Sequence, residues 1–91
     1  MEAKKYTIAG KEFTMRFPSY PRCEKVREAI GDEFANLAGG SIKDMNKFLN
    51  GCKEVLDGDF SEINEDNLTL GRVEVLTGAI VDFFTLSRET V

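Results

Sequence analysis

Asp57, Asp59 and Ser61 bring a side-chain oxygen to every second position of an acidic stretch, the pattern that opens an EF-hand calcium loop, and Glu65 stands at the ninth position. The rest of the pattern is missing. The sixth position is Glu62, where the sharp turn needs glycine, and the twelfth is Leu68, where a bidentate glutamate closes the shell. The stretch is therefore predicted to be a solvated acidic loop. The chain has no histidine, which removes Ser-His and Cys-His pairs and the common zinc sites. Asp32-Glu33 and Glu65-Asp66 are adjacent carboxylates predicted to lie among exposed charges. Gly39-Gly40-Ser41 lacks the glycine-lysine pattern of a phosphate loop and follows a helix instead of a strand. Cys23 and Cys52 form no CxxC pair and fall on apolar stripes, so they read as buried, reduced thiols. No catalytic residue, metal ligand or cofactor emerges, and the chain is expected not to be an enzyme.

The elements that would position any site are read from periodicity. Apolar residues alternate in Lys4–Ala9 and again in Glu12–Phe17, with Gly10-Lys11 as a two-residue type II′ turn between them. That register sets Ile8 opposite Phe13 and Tyr6 opposite Met15. Pro18-Ser19-Tyr20-Pro21 ends the second strand and opens a helix capped by Ser19. Cys23, Val26, Ile30, Phe34 and Leu37 recur at helical spacing, weakened by Gly31 and ended by Gly39-Gly40. Ser41 with Asp44 resembles a capping box for a second helix, with a stripe of Ile42, Met45, Leu49, Cys52 and Leu56, widened by Phe48 and Val55, and a stop at Gly58. After the acidic connection a last helix runs to about Arg88, capped by Asn67 or Thr69. The predicted fold is one α+β domain over residues 1–91, mainly helical, with an N-terminal β-hairpin followed by three helices.

The last helix carries the main functional signal. Leu70, Val73, Leu76, Ile80 and Phe84 form a core stripe, and Val75, Ala79, Val81, Phe83 and Leu86 widen the apolar arc to roughly 240° of the circumference. Such a helix is either wrapped completely within one chain or left with a surface for a partner. On the second reading Val75, Ala79, Phe83 and Leu86 form a protein-binding face and the chain is expected to be a homo-oligomer.

Charge narrows the class of partner. Residues 1–28 hold seven Lys or Arg against four Asp or Glu, and residues 29–91 hold five against twelve, for a net charge of −4. The larger part would repel nucleic acid, which ranks well below protein as a partner. No apolar run approaches the roughly 20 residues of a membrane span, and no apolar signal region follows the first charges. A cytoplasmic protein without a membrane partner is expected.

The opening Tyr6-Thr7-Ile8-Ala9-Gly10-Lys11-Glu12-Phe13, continued to Arg16-Phe17, resembles the small tail assembly chaperones of long-tailed bacteriophages. So do the short helices and the closing Asn67-Leu68-Thr69-Leu70 that leads into Ala79-Ile80-Val81-Asp82-Phe83-Phe84. The likeness is one of pattern over nearly the whole chain, with no signature residue carried over. It implies a non-enzymatic protein, often oligomeric, that coats the hydrophobic tape-measure protein before the tail tube polymerises round it. The other class that fits the composition is a small cytoplasmic adaptor or regulatory domain binding one folded partner.

Overall fold

The computed structural model describes residues 3–37 and 41–89. Its elements are strands β1 (Lys5–Ile8) and β2 (Lys11–Met15), helix α1 (Tyr20–Ile30), a 3-10 helix (Gly31–Asn36), helix α2 (Met45–Val55), a two-residue strand β3 (Leu56–Asp57) and helix α3 (Leu70–Glu89). The class is α+β, an N-terminal antiparallel hairpin followed by three α-helices. Nineteen buried apolar residues, drawn from the hairpin, all three α-helices and the connections, form one contiguous core.

The hairpin turns at Ala9-Gly10, one residue earlier than expected. Both residues have positive φ, 55° and 75°, as a type I′ turn requires. Tyr6 therefore pairs with Phe13 and Ile8 with Lys11, in place of the expected Tyr6–Met15 and Ile8–Phe13. A slide of two residues keeps every side chain on its face, whereas a slide of one would exchange the faces. Ile8, Phe13 and Met15 are accordingly buried. Left-handed backbone costs alanine about 1 kcal/mol. The register it permits lets Lys11 Nζ reach Asp59 at 2.9 Å and Glu62 at 3.4 Å in the acidic connection. A two-stranded hairpin is marginal in water. Here β2 becomes the middle strand, with Met15 paired to Leu56 and Thr14 to Asp57.

Three helix boundaries differ from the periodicity. Ser19 caps α1 as expected, its Oγ accepting from Arg22 N at 3.3 Å, but the helix stops at Gly31 instead of running to Leu37. Gly31 adopts φ 58°, ψ −130°, a conformation that glycine tolerates and other residues avoid. Gly39 and Gly40 lie outside the described residues. The cap of α2 is Asp44, which accepts from Lys47 N at 3.2 Å, and not Ser41. Its last residue is Val55, because Leu56 is drawn into extended backbone by its pairing with Met15. Gly58 therefore stops no helix; a Cβ there would overlap the Phe13 ring, and one at Gly51 would overlap Ile30. These two glycines let the loop lie on the hairpin and α2 lie against α1.

Thr69 caps α3, with Oγ1 accepting from Arg72 N at 3.2 Å. The buried residues of α3 are Val73, Leu76, Ala79, Ile80, Phe83 and Phe84, which at about 100° per residue cover about 140° of the helix. This corrects the proposed binding face. Ala79 and Phe83 are both 0% exposed, because α2, α1 and β1 all pack on α3 and cover more than one stripe. Leu86 is half-buried and packs on the core, and Val75 is 38% exposed. The premise that Phe83 is left in water, on which self-association rested, falls with this burial.

The same burial sets the effect of a charge at Phe83. Phe83→Asp should unfold the domain, and Phe83→Ala should cost about 3–5 kcal/mol. Val81→Asp, on a residue 50% exposed, should leave the helical circular dichroism and the urea midpoint close to wild type. A folded Phe83→Asp protein would contradict the packing.

Candidate protein-binding surface

Tight local structure turns two aromatics outward between β2 and α1. Pro18 is buried, and Ser19 N donates to Phe17 O at 2.9 Å. The ring of Phe17 on one side and that of Tyr20 on the other are 69% and 77% exposed. A third aromatic, Phe34, comes from the 3-10 helix, and α3 adds Val81 at its edge.

Phe34 is positioned by a carboxylate. Glu33 was expected among exposed charges, yet it is only 5% exposed. Its Oε2 accepts from Lys43 N at 2.8 Å and its carboxylate from Asn36 Nδ2 at 3.3 Å. The Lys43 backbone N–H, aided by Asn36, holds the Glu33 carboxyl below the usual range. Glu33 thus ties the 3-10 helix to the chain entering α2. Beside it, Phe34 meets Phe84 edge-on at 5.2 Å between centroids. The Arg27 guanidinium lies 5.7 Å from the Phe34 centroid and 5.5 Å from that of Phe84, within cation–π range of both.

Three shallow grooves meet around the last turns of α3. One lies between α1 and α3, lined by Pro18, Tyr20, Cys23, Arg27, Phe84 and Arg88 together with Glu24 and Ser87. The second runs from Met15, Phe17 and Pro18 to Leu86, past Lys4. The third is bounded by Phe34, Leu37, Val81, Phe84 and Arg88. Their volumes, about 290, 280 and 240 Å³, fall just below the range of small-molecule sites. They suit individual side chains of a partner.

Of the four residues proposed for binding, Leu86 alone lines a groove. Val75 is exposed, but it sits about 120° round the helix from Val81. Of the predicted face, Ala79 and Phe83 lie in the core, while Val75 and Leu86 keep some access to solvent. Phe17 and Tyr20 carried a legible signal, since they bracket Pro18-Ser19 and Tyr20 belongs to no apolar stripe. Arg27, Phe34 and Arg88 carried none, because Arg27 and Arg88 meet only where α1 packs beside α3, and Phe34 joins them only through the break at Gly31.

Several charges elsewhere are paired. Lys4 Nζ and Tyr6 OH both donate to Asp82 Oδ2 at 2.8 Å, fastening β1 to α3. Arg22 reaches Glu54 at 2.9 Å and Arg16 reaches Asp57 at 3.6 Å. In the acidic connection Asp59 accepts from Lys11 Nζ and from Ser61 N, both at 2.9 Å. The Lys11 ammonium, helped by Ser61, holds the Asp59 carboxyl well below the usual range. Among the described residues, no group of three or more His, Cys, Asp or Glu is placed to hold a metal ion, and no helix is long and apolar enough to cross a membrane.

Two measurements follow from this arrangement. Cys23 lines the first groove, whereas Cys52 is 1% exposed and burial pushes its thiol up, away from thiolate. A thiol reagent without denaturant should label Cys23 slowly and Cys52 more slowly still, as read by mass spectrometry of peptides. Faster labelling of Cys52 would contradict the packing.

The second concerns pH. The bond to Lys4, aided by Tyr6, lowers the Asp82 carboxyl, while burial and the bond to Asp82 raise the Tyr6 phenol. A lowered carboxyl stabilises the fold above about pH 4 and loses that contribution as acid protonates it. A raised phenol contributes below about pH 10 and loses it in alkali. Asp82→Asn should flatten the fall of the urea midpoint below about pH 4, with Glu33 and Asp59 still supplying part of it, and Tyr6→Phe should flatten the fall above about pH 10. Unchanged slopes in both variants would show that the bond adds no stability.

Compared with protein-family models, curated proteins and solved structures, the chain matches none.

Proposed function

We propose that this is a non-enzymatic protein-binding protein that takes an apolar segment of its partner at the end of α3, in the manner of the phage tail assembly chaperones its sequence resembles. The observation that carries the reading is the gathering of Phe17, Tyr20, Phe34 and Val81 around three side-chain-sized grooves. Leaving such residues in water forgoes roughly 1.5–3 kcal/mol for each large side chain that a partner could bury. The lack of histidine and the use of Glu33 as a structural acceptor support a role without catalysis. On this reading the partner is the tape-measure protein, held soluble until the tail tube forms.

The test is co-expression with the longest hydrophobic protein encoded beside this gene. The wild-type chain should keep that protein soluble and co-purify with it. A double variant, Phe17→Ser with Val81→Asp, should stay folded by circular dichroism and lose both effects. Equal solubility of the long protein with wild type, variant or no chaperone would overturn the proposal.

A further inference from the structure

Two of the four cations that line the grooves are committed within the chain. Lys4 is held by Asp82, and Arg16 by Asp57 and the Lys53 carbonyl. Arg27 and Arg88 differ. Among the described residues neither is within ion-pair distance of a carboxylate, although twelve acidic residues lie between Ala29 and the end of the chain. Both line the groove between α1 and α3, with Phe84 as its apolar wall and Glu24 as its one acidic residue. Arg88 and Phe84 also line the neighbouring groove with Phe34 and Val81. With one guanidinium lying over the aromatic pair and the other bordering both grooves, this patch is positive and apolar on a chain of net charge −4.

From this charge pattern we infer that the surface takes an acidic amphipathic segment of a partner protein. Its apolar side chains enter the grooves on either side of Phe84, and its carboxylates meet Arg27 and Arg88. Guanidinium favours carboxylate because its planar donor fork matches two oxygens at once. A nucleic acid would offer phosphates to the same two arginines, but a polyanion also meets the repulsion of the acidic remainder. A short segment with two carboxylates does not. The inference rests on the protein-binding reading and adds what the partner must carry.

The probe is a synthetic amphipathic peptide of about 18 residues, with Leu and Phe at i, i+3, i+4, i+7 spacing and Glu on the flanks, compared with its Gln and Lys counterparts. Binding to the whole chain is measured by calorimetry and by amide shifts in NMR. The Glu peptide should bind roughly five- to tenfold more tightly than the Gln peptide at low salt, a range set by two solvent-exposed ion pairs. That advantage should vanish at about 1 M salt and in Arg27→Gln with Arg88→Gln. The shifts should centre on Arg27, Phe34, Val81 and Arg88, and the bound peptide should protect Cys23 from labelling. The single variant Arg88→Gln, on an exposed residue, keeps the test readable if the double variant loses its fold.

Equal affinity for the Glu and Gln peptides, lost in Val81→Asp, would overturn the charge requirement and leave the protein-binding reading standing. Tighter binding of the Lys peptide, preferential binding of a single-stranded oligonucleotide, or no binding by any peptide would also overturn the inference. A dimer in light scattering that Arg88→Glu dissolves, with no peptide bound, would overturn it by showing a second copy's acidic connection as the occupant. In these cases the co-expression experiment decides the broader reading independently.

Discussion

A helix with apolar side chains over most of its circumference has to be covered from several directions at once, and that requirement on α3 sets the positions of the other elements. Phe83 and Phe84 are consecutive, so their side chains leave the helix about 100° apart, yet both are buried. No single flat neighbour can cover both. The hairpin, α1 and α2 divide the work, with β1 fastened to α3 by Tyr6 and Lys4 on Asp82. Close approach elsewhere follows from the same need. Ile30 lies against Gly51 and Phe13 against Gly58 because a Cβ at either glycine would overlap the partner side chain, and overpacking of that kind costs about 1–3 kcal/mol.

Cover is incomplete at the end of α3, and the break at Gly31 explains the shape of what remains. An uninterrupted α1 would have carried Phe34 and Leu37 along one straight stripe. The reversal at Gly31 instead begins a 3-10 helix that Glu33 ties to Lys43, and Phe34 comes to rest edge-on against Phe84. Buried carboxylates are costly unless their oxygens are satisfied. Glu33 is satisfied by a backbone donor and an amide, which makes it a structural anchor and not part of the groove lining.

The electrostatics divide along the same line. Within the acidic connection the Lys11 ammonium bridges Asp59 and Glu62. At the opposite extreme, Arg27 and Arg88 keep their charge uncompensated beside an apolar wall. Surface pairs are weak in water, about 0–1 kcal/mol each. Apolar burial would thus supply most of the affinity for a partner, with the arginines selecting which apolar segment docks.

By itself the sequence determined the α+β class, the hairpin faces, the Ser19 cap and the membership of most of the core. These depend on periods of two and 3.6 and on capping chemistry, which are local. Tertiary structure decided the hairpin register, since a slide of two preserves the faces and only Lys11's partners and the pairing with β3 distinguish the alternatives. It decided that Leu56 would leave α2 for the sheet and that Glu33 would be buried. It also decided which edge of α3 stays accessible. An apolar arc read on a helical wheel gives the width of what must be covered but not the directions from which neighbours arrive, so Ala79 and Phe83 went inside, while Val81 stayed exposed at the edge of a groove to which the 3-10 helix after Gly31 brings Phe34.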